Sequence, residues 1–200
     1  PLLGCPYLDV YAARAEQVGV PEPRTILVAP TWGRNGLLTR TGSLVPKLLA
    51  SAGYHVILRP HPQSFISDRE VMERVAADLQ TCKNVEWDRN PDGFSSLSRA
   101  SLMVSDVSGV IFDFAFVFLR PVISVGNGPL KEGFEAWEIP HEAWEMKALD
   151  QIGRRVPAGN ESVIPTMVEE MLGDLTTQTE AIRRVRDENV VNFGHAGGPI

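Results

Sequence analysis

Short apolar runs alternate along the chain with segments in which apolar residues recur at helical spacing. The runs span three to five residues, are bounded by proline, glycine or polar residues, and are typical of buried strands. They lie at 25–29, 55–58, 84–87, 102–104 and 121–125. The intervening segments 44–52 and 71–79 have the pattern of helices with one buried face.

Strands separated by helices of this length predict right-handed βαβ units. The fold class is therefore α/β, a Rossmann-like parallel sheet with helices on both faces. The pattern weakens after Gly126, and two further helices are predicted at 162–172 and 178–190. We expect one domain of this fold over 21–200, preceded by a linker or inter-domain segment at 1–20.

Composition and charge limit the classes of partner. The 200 residues include 44% hydrophobic and 22% charged residues, which fits one compact domain. The net charge of -6 argues against a broad surface for nucleic acid, because such surfaces need clustered lysine and arginine. An anionic ligand would therefore have to be held locally.

The chain contains only two cysteines, Cys5 and Cys82, which indicate neither a disulfide framework nor a zinc module. We therefore expect a cytoplasmic protein. Its longest apolar stretch, 107–125, is broken by polar residues and is not a membrane span. The chain starts at Pro1 without a signal-like segment, and we interpret it as a piece of a longer protein.

Four loops should meet at the carboxyl edge of the predicted sheet, where ligands bind in open α/β folds. They are 29–36, 59–63, 88–90 and 105–109. Trp32 in the first loop has two interpretations, because it could stack on a base or sugar or complete the packing.

The fourth loop places Ser105, Asp106, Ser108 and Gly109 between two apolar runs. A helix starting near Ser108 would offer unpaired N–H groups to a phosphate, and Gly109 would permit close approach. In the alternative interpretation, Ser105 or Asp106 caps the helix. Asp113, one turn further on, could bind ligand hydroxyls or cap a neighbouring turn.

The tetrapeptide RPHP fixes the backbone around His61 between two prolines. Such a histidine could act as a general base or donate to a phosphate. Alternatively, a nearby carbonyl could satisfy its ring in a stiff turn. Arg59 beside it could pair with a phosphate or with Asp106. The sequence contains no GxGxxG, P-loop, HExxH, CxxC or GxSxG pattern.

The segments ILVAPTW, LRPHP, VSDVSGVIFDFAF and LRPVI, in this order, resemble the C-terminal domain of the CDP-glycerol glycerophosphotransferase family. This family includes the polymerases and primases of wall teichoic acid and related capsule polymers. The opening GCPYLD resembles the GxPxxD segment that precedes this domain. The resemblance covers residues 4 to about 125.

The resemblance implies the C-terminal half of a GT-B fold, with a nucleotide diphosphate bound to this half and no obligatory metal or cofactor in the donor site. His61 matches the family's functional histidine. The residues matched to the donor and its phosphates are Thr31, Arg59, Ser105, Asp106, Ser108, Gly109, Asp113 and Arg120.

We therefore expect the donor-binding part of an enzyme that transfers a polyol phosphate from a CDP-linked donor to a hydroxyl of a polyol-phosphate or lipid-linked saccharide acceptor. The family's acceptor-activating histidine belongs to an N-terminal domain that this sequence does not contain, so we expect no turnover by this part alone. A lipid-linked acceptor would place the whole enzyme at the cytoplasmic face of the membrane. The alternatives are a GT-B glycosyltransferase or epimerase with a UDP-linked donor, and a noncatalytic interaction module.

Overall fold

A computed structural model of the protein describes residues 4–126 and 144–197. A single sheet runs through these residues, and all of its neighbouring strands are parallel. Its strands are β1 (Thr25–Val28), β2 (His55–Leu58), β3 (Val85–Trp87), β4 (Leu102–Ser105), β5 (Val122–Val125) and β6 (Gly153–Val156). Their order is β3-β2-β1-β4-β5-β6, which confirms the predicted Rossmann-like sheet.

The helices that accompany this sheet confirm the predicted segments and add several short ones. They are α1 (Pro6–Ala15), α2 (Leu37–Thr41), α3 (Leu44–Ser51), α4 (Ser64–Ser67), α5 (Arg69–Leu79), α6 (Phe94–Arg99), α7 (Val110–Phe118), α8 (Trp144–Ile152), α9 (Ile164–Gly173) and α10 (Leu175–Asn189). A 3-10 turn at Glu161–Val163 precedes α9. None of the helices in the described part of the chain is both long enough and apolar enough to cross a bilayer.

Side chains that alternate along the strands build two hydrophobic cores, one on each face of the sheet. Ile26 and Val28 of β1 join one core with helices α2, α3, α5 and α9. Leu27 of the same strand joins the other core with α6, α7, α8 and α10. Strands β1, β4 and β5 are buried along their whole length, which is why they form nearly continuous apolar runs in the sequence.

Part of the segment expected to be a linker forms helix α1. Leu8 of this helix is buried, and the guanidinium of Arg14 lies 3.9 Å from the centre of the Phe94 ring. Arg14 also donates to the carboxylate of Asp92, at 2.6 Å. The helix is thus held against the domain, and its expected connection to a preceding domain stays a prediction.

Arg120 lies at the amino edge of the sheet, away from the other predicted site residues. Helix α7 crosses back over the sheet, and Leu119 ends it in a left-handed conformation, with φ 52°. Arg120 then donates to the carbonyl oxygens of Ser98 and Ala100, each at 2.6 Å, just before β4 begins. Burial lowers the pKa of Arg120 to about 10. The guanidinium of Arg120 is therefore held at the edge opposite to the loops that were expected to bind a ligand, and its match to the donor site is not supported by its position.

Replacing Arg120 should destabilise the fold. We expect Arg120→Met to lower the free energy of unfolding by about 3 kcal/mol, because buried carbonyl groups lose a charged donor. Urea unfolding of wild type and variant measures this difference. Arg183→Met, at an exposed position of α10, is the matched control and should change the free energy by less than about 0.5 kcal/mol. Equal losses in both variants would contradict the structural role of Arg120.

Candidate functional site

The candidate site lies where the loops after β1, β2 and β4 meet at the carboxyl edge of the sheet. Val28, the last residue of β1, is in register with Leu58 of β2 and with Val104 of β4. The loop after β1 therefore lies between the loop that carries His61 and the turn that carries Ser108. The sheet order reverses direction at this point, which is where open α/β sheets bind their ligands.

The carboxylate of Asp106 holds both ends of the loop after β1. It accepts the backbone N–H of Thr31 at 2.8 Å and that of Leu37 at 2.5 Å. Asp106 is only 4% exposed, and burial raises the pKa of its carboxyl even though these N–H groups favour the charged form. Ser105 donates its hydroxyl to the carbonyl oxygen of Ala29 at 2.6 Å. Ser105, Asp106 and Thr31 thus meet as predicted, and the contacts they make here are structural.

The first residues of α7 leave their backbone N–H groups open. Ser105 and Asp106 point to the β1 loop and do not cap this helix, which begins without a side-chain cap. The N–H groups of residues 107–110 meet no acceptor among the described residues. A side chain built at Gly109 would meet nothing within 4 Å. This turn therefore has the free donors and the space that an anion needs at a helix N-terminus.

His61 is fixed by its backbone and by one ring nitrogen. Its N–H donates to the carbonyl oxygen of Pro30 at 3.2 Å, and its Nδ1 accepts the N–H of Gln63 at 3.1 Å. A neutral imidazole that accepts at Nδ1 carries its proton on Nε2. The exposed ring of His61 thus keeps an Nε2–H donor for a ligand.

His61 and Ser108 line the same cavity, which has a volume of about 180 Å³. The indole of Trp32 lies beside it, with its ring centre 6.2 Å from that of His61, and Trp32 is 47% exposed. The structure therefore brings together the histidine and the helix start that the sequence predicted separately. Trp32 lies at the mouth of the site, where it contacts the His61 ring while keeping about half of its surface exposed.

Arg59 reaches the same edge, but its guanidinium is already engaged. It donates to the Asp88 carboxylate at 2.6 Å and to the carbonyl oxygen of Asn90 at 2.7 Å. Of the two partners considered for Arg59, a phosphate and Asp106, the structure shows no contact with Asp106. The guanidinium pairs instead with Asp88, which also accepts the hydroxyl of Ser96. Arg59 lines the cavity of His61 while its charge is balanced by protein atoms.

Asp113 lies on the other side of the α7 start, in a second and larger cavity. This cavity has a volume of about 610 Å³ and includes Ser108, Phe112 and Trp144 in its lining. The carboxylate of Asp113 has no hydrogen-bond partner among the described residues, and burial raises its pKa to about 6. Asp113 and His61 thus lie in different cavities that share Ser108.

Sequence reasoning missed two residues that shape the β1 loop. Asp68 accepts the N–H of Gly33 at 2.7 Å, and Arg40 donates to the carbonyl oxygens of Asn35 and Val125 at 2.9 and 2.8 Å. The local sequence contains no signal for the Asp68 contact, because its partner is 35 residues away. In the described ranges, no three histidine, cysteine, aspartate or glutamate side chains converge as metal ligands.

The chain has no match to a protein-family profile or to a curated protein sequence, but it resembles solved structures in fold. The wall teichoic acid polymerase TagF, soaked with CDPG, is 19% identical with a TM-score of 0.56, and the match covers 92% of this chain and 44% of TagF. A glycosyltransferase from Rickettsia africae is 14% identical with a TM-score of 0.57, over 94% of this chain and 48% of its own. HepE from Anabaena, in complex with UDP-glucose, is 11% identical with a TM-score of 0.56, over 89% and 47%.

Identities this low show a shared fold and nothing finer. The chain spans less than half the length of each of these proteins. The expected fold, a Rossmann-like half of a GT-B architecture, is confirmed, and so is the resemblance to the glycerophosphotransferase family at the level of the fold.

The Asp106 contacts predict a specific loss of stability. In Asp106→Asn one carboxylate oxygen becomes an NH₂ group that faces a backbone N–H, so we expect the free energy of unfolding to fall by about 2 kcal/mol. Urea unfolding measures the change. Ser108→Ala, at the same turn, removes a hydroxyl that has no partner among the described residues, and should be nearly neutral. A stable Asp106→Asn protein would show that the two N–H contacts contribute little.

The raised pKa of Asp113 predicts how stability changes with pH. Its folded pKa of about 6 lies above the ordinary value of 3.8, so the folded state binds the proton more tightly between these values. This contribution falls as pH rises from about 4 to about 6. Asp113→Asn should therefore match wild type near pH 4 and exceed its unfolding free energy at pH 7, by up to about 3 kcal/mol. Denaturant unfolding at both pH values gives the difference, and an unchanged difference across this range would contradict the assignment.

Proposed function

We propose that this chain is the donor-binding part of a transferase that moves a polyol phosphate from a CDP-linked donor, such as CDP-glycerol, to a hydroxyl acceptor. The observation that carries the proposal is the shared cavity of His61 and Ser108 at the sheet edge, next to the open N–H groups of α7. The fold shared with TagF, which was soaked with CDPG, supports the choice of donor.

The site suits a diphosphate because its donors act at short range. The N–H groups of residues 107–110 and the helix dipole attract negative charge without a basic surface, which agrees with the net charge of -6. The Nε2–H of His61 adds a donor from another part of the cavity lining. Both groups can stabilise a diphosphate as its bridging bond breaks.

In the proposed reaction the acceptor oxygen forms a bond to the phosphorus that carries the polyol. The bond from that phosphorus to the oxygen of CMP breaks, and CMP leaves with the bonding electrons. The hydrogen-bonding of His61 favours a role as donor to the phosphate oxygens, because its Nδ1 already accepts a backbone N–H. The base that takes the acceptor's proton would then come from a second domain.

The acceptor would be a polyol phosphate or a lipid-linked saccharide, and the reaction would take place on the cytoplasmic side of the membrane. Capsule or teichoic acid synthesis is the corresponding process. Asp113 remains the residue expected to contact donor hydroxyls, from the larger cavity that begins at Ser108.

A UDP-linked donor is the second candidate, and the fold shared with HepE in its UDP-glucose complex favours it. The diphosphate chemistry would be the same, and only the base and the transferred group would differ. The third candidate is a noncatalytic module with an exposed patch at Trp137 and Trp144. Trp137 lies outside the described residues, whereas Trp144 is 41% exposed and lies against Phe112.

Thermal unfolding with nucleotides distinguishes these candidates. CDP and CDP-glycerol at about 100-fold excess over Kd should stabilise the chain by about 2.7 kcal/mol, and therefore raise its Tm by about 5–10 °C. UDP and UDP-glucose should have smaller effects at equal concentration. The reverse order would favour the second candidate, and no shift with any of the four would favour the noncatalytic module.

The matched variants are His61→Ala and His195→Ala, the latter at an exposed position near the end of the described chain. His61→Ala should weaken CDP binding about 10-fold or more because the phosphate loses one donor, while the unliganded Tm stays close to that of wild type. His195→Ala should bind CDP like wild type. Equal affinity in both variants would remove His61 from the site.

A further inference from the structure

The arginines near the carboxyl edge differ in whether the protein already uses their charge. Arg59 is paired with Asp88 and with the carbonyl oxygen of Asn90. Arg40 on α2 donates to the carbonyl oxygens of Asn35 and Val125 and thereby ties the β1 loop to the end of β5. Both guanidinium groups therefore serve contacts that hold this edge of the sheet together.

Arg89, after β3, is engaged through aromatic rings. Its guanidinium lies 4.6 Å from the ring centre of Phe65 and 5.5 Å from that of Trp87. Such cation–π contacts hold the side chain over the rings, on the β3 side of the sheet.

Arg34 differs from these three arginines because no described residue of the protein uses its charge. It lies in the loop after β1, is exposed, and has no hydrogen-bond, ion-pair or ring partner among the described residues. An exposed arginine alone indicates nothing, because many surfaces carry one. Arg34 is of interest because the backbone of its loop is held in place at the edge of the candidate site.

That loop is fixed at several points, so Arg34 starts from a defined backbone position. Asp106 holds Thr31 and Leu37 at the two ends, and Asp68 holds the N–H of Gly33 next to Arg34. A Cβ atom at Gly36 would lie 2.7 Å from the carbonyl oxygen of Thr31, which shows how tightly the loop is folded. Because the backbone is ordered before a ligand arrives, binding loses less entropy.

The carboxylates that shape this edge of the sheet make contacts with other groups. Asp68 and Asp106 accept backbone N–H groups, and Asp88 is paired with Arg59. No carboxylate of the described residues pairs with Arg34, so its guanidinium is a cation without a counter-ion in that part of the chain. It lies on the loop that Asp106 joins to the start of α7. Guanidinium groups bind phosphate oxygens through two parallel hydrogen bonds.

We propose that Arg34 contacts the diphosphate of the nucleotide donor and supplies the arginine that Arg59 and Arg120 were expected to supply. This assignment rests on the proposed function, because it places the ligand at the cavity of His61 and Ser108. In this assignment, the guanidinium of Arg34 adds a positive charge to a site that otherwise uses backbone N–H groups and an imidazole.

The test is calorimetric titration of the chain with CDP, CMP and inorganic pyrophosphate, at low ionic strength and at about 0.15 M salt. Arg34→Gln should weaken CDP binding about 10- to 100-fold, since it removes charged hydrogen bonds to the phosphates. The loss should be larger for CDP and pyrophosphate than for CMP, and should shrink as salt is added. Arg34→Lys should recover part of the affinity because it restores the charge without the planar fork.

Arg183→Gln changes the net charge equally at an exposed position of α10, and should bind all three probes like wild type. The unliganded Tm of each variant should equal that of wild type. If Arg34→Gln binds CDP as tightly as wild type, or loses no more than Arg183→Gln, the assignment of Arg34 is overturned while the proposed function stands. If wild type binds none of the probes, both are overturned.

Discussion

The buried carboxylate of Asp106 joins the two halves of the candidate site. Its two oxygens receive N–H groups from both ends of the β1 loop, so a residue at the end of β4 determines the position of a loop about 70 residues earlier in the chain. A carboxylate with 4% exposure is stable in such a position only when its oxygens are satisfied. Because the carboxylate faces the β1 loop, the first N–H groups of α7 are left without a cap.

This arrangement also explains how an acidic residue can lie two positions before a proposed anion site. The carboxylate of Asp106 accepts the N–H groups of Thr31 and Leu37, while the turn at Ser108 and Gly109 presents backbone N–H groups and the Ser108 hydroxyl. In a chain with a net charge of -6, an anion would be repelled by the surface as a whole. Oriented N–H groups at a helix start act within a few ångströms, so they attract a phosphate locally without changing the net charge.

The sequence predicts most of the sheet because β1, β4 and β5 are buried on both faces, and five of the described strands were predicted from short runs in the sequence. β6 was missed because Arg154 and Arg155 lie at its centre and are exposed. Helices α2 and α6 have only five and six residues, too few to show a helical repeat. Helix α1 was interpreted as linker, because its single buried residue, Leu8, leaves no continuous apolar stripe in the sequence.

For the candidate site, the sequence predicts which residues lie at the carboxyl edge of the sheet, but it does not predict which groups their side chains contact. Parallel strands bring their carboxyl ends together, so His61 and Ser108 could be placed on one edge from spacing alone. The choice of partner depends on contacts between distant segments: Arg59 pairs with a residue 29 positions away, and Arg120 bonds to carbonyl groups at the opposite edge. A charged side chain next to a predicted phosphate loop is therefore weak evidence of ligand contact, because the fold needs the same charges to satisfy its own buried groups. Charged side chains that the fold leaves without a partner are better candidates, and only the three-dimensional arrangement reveals them.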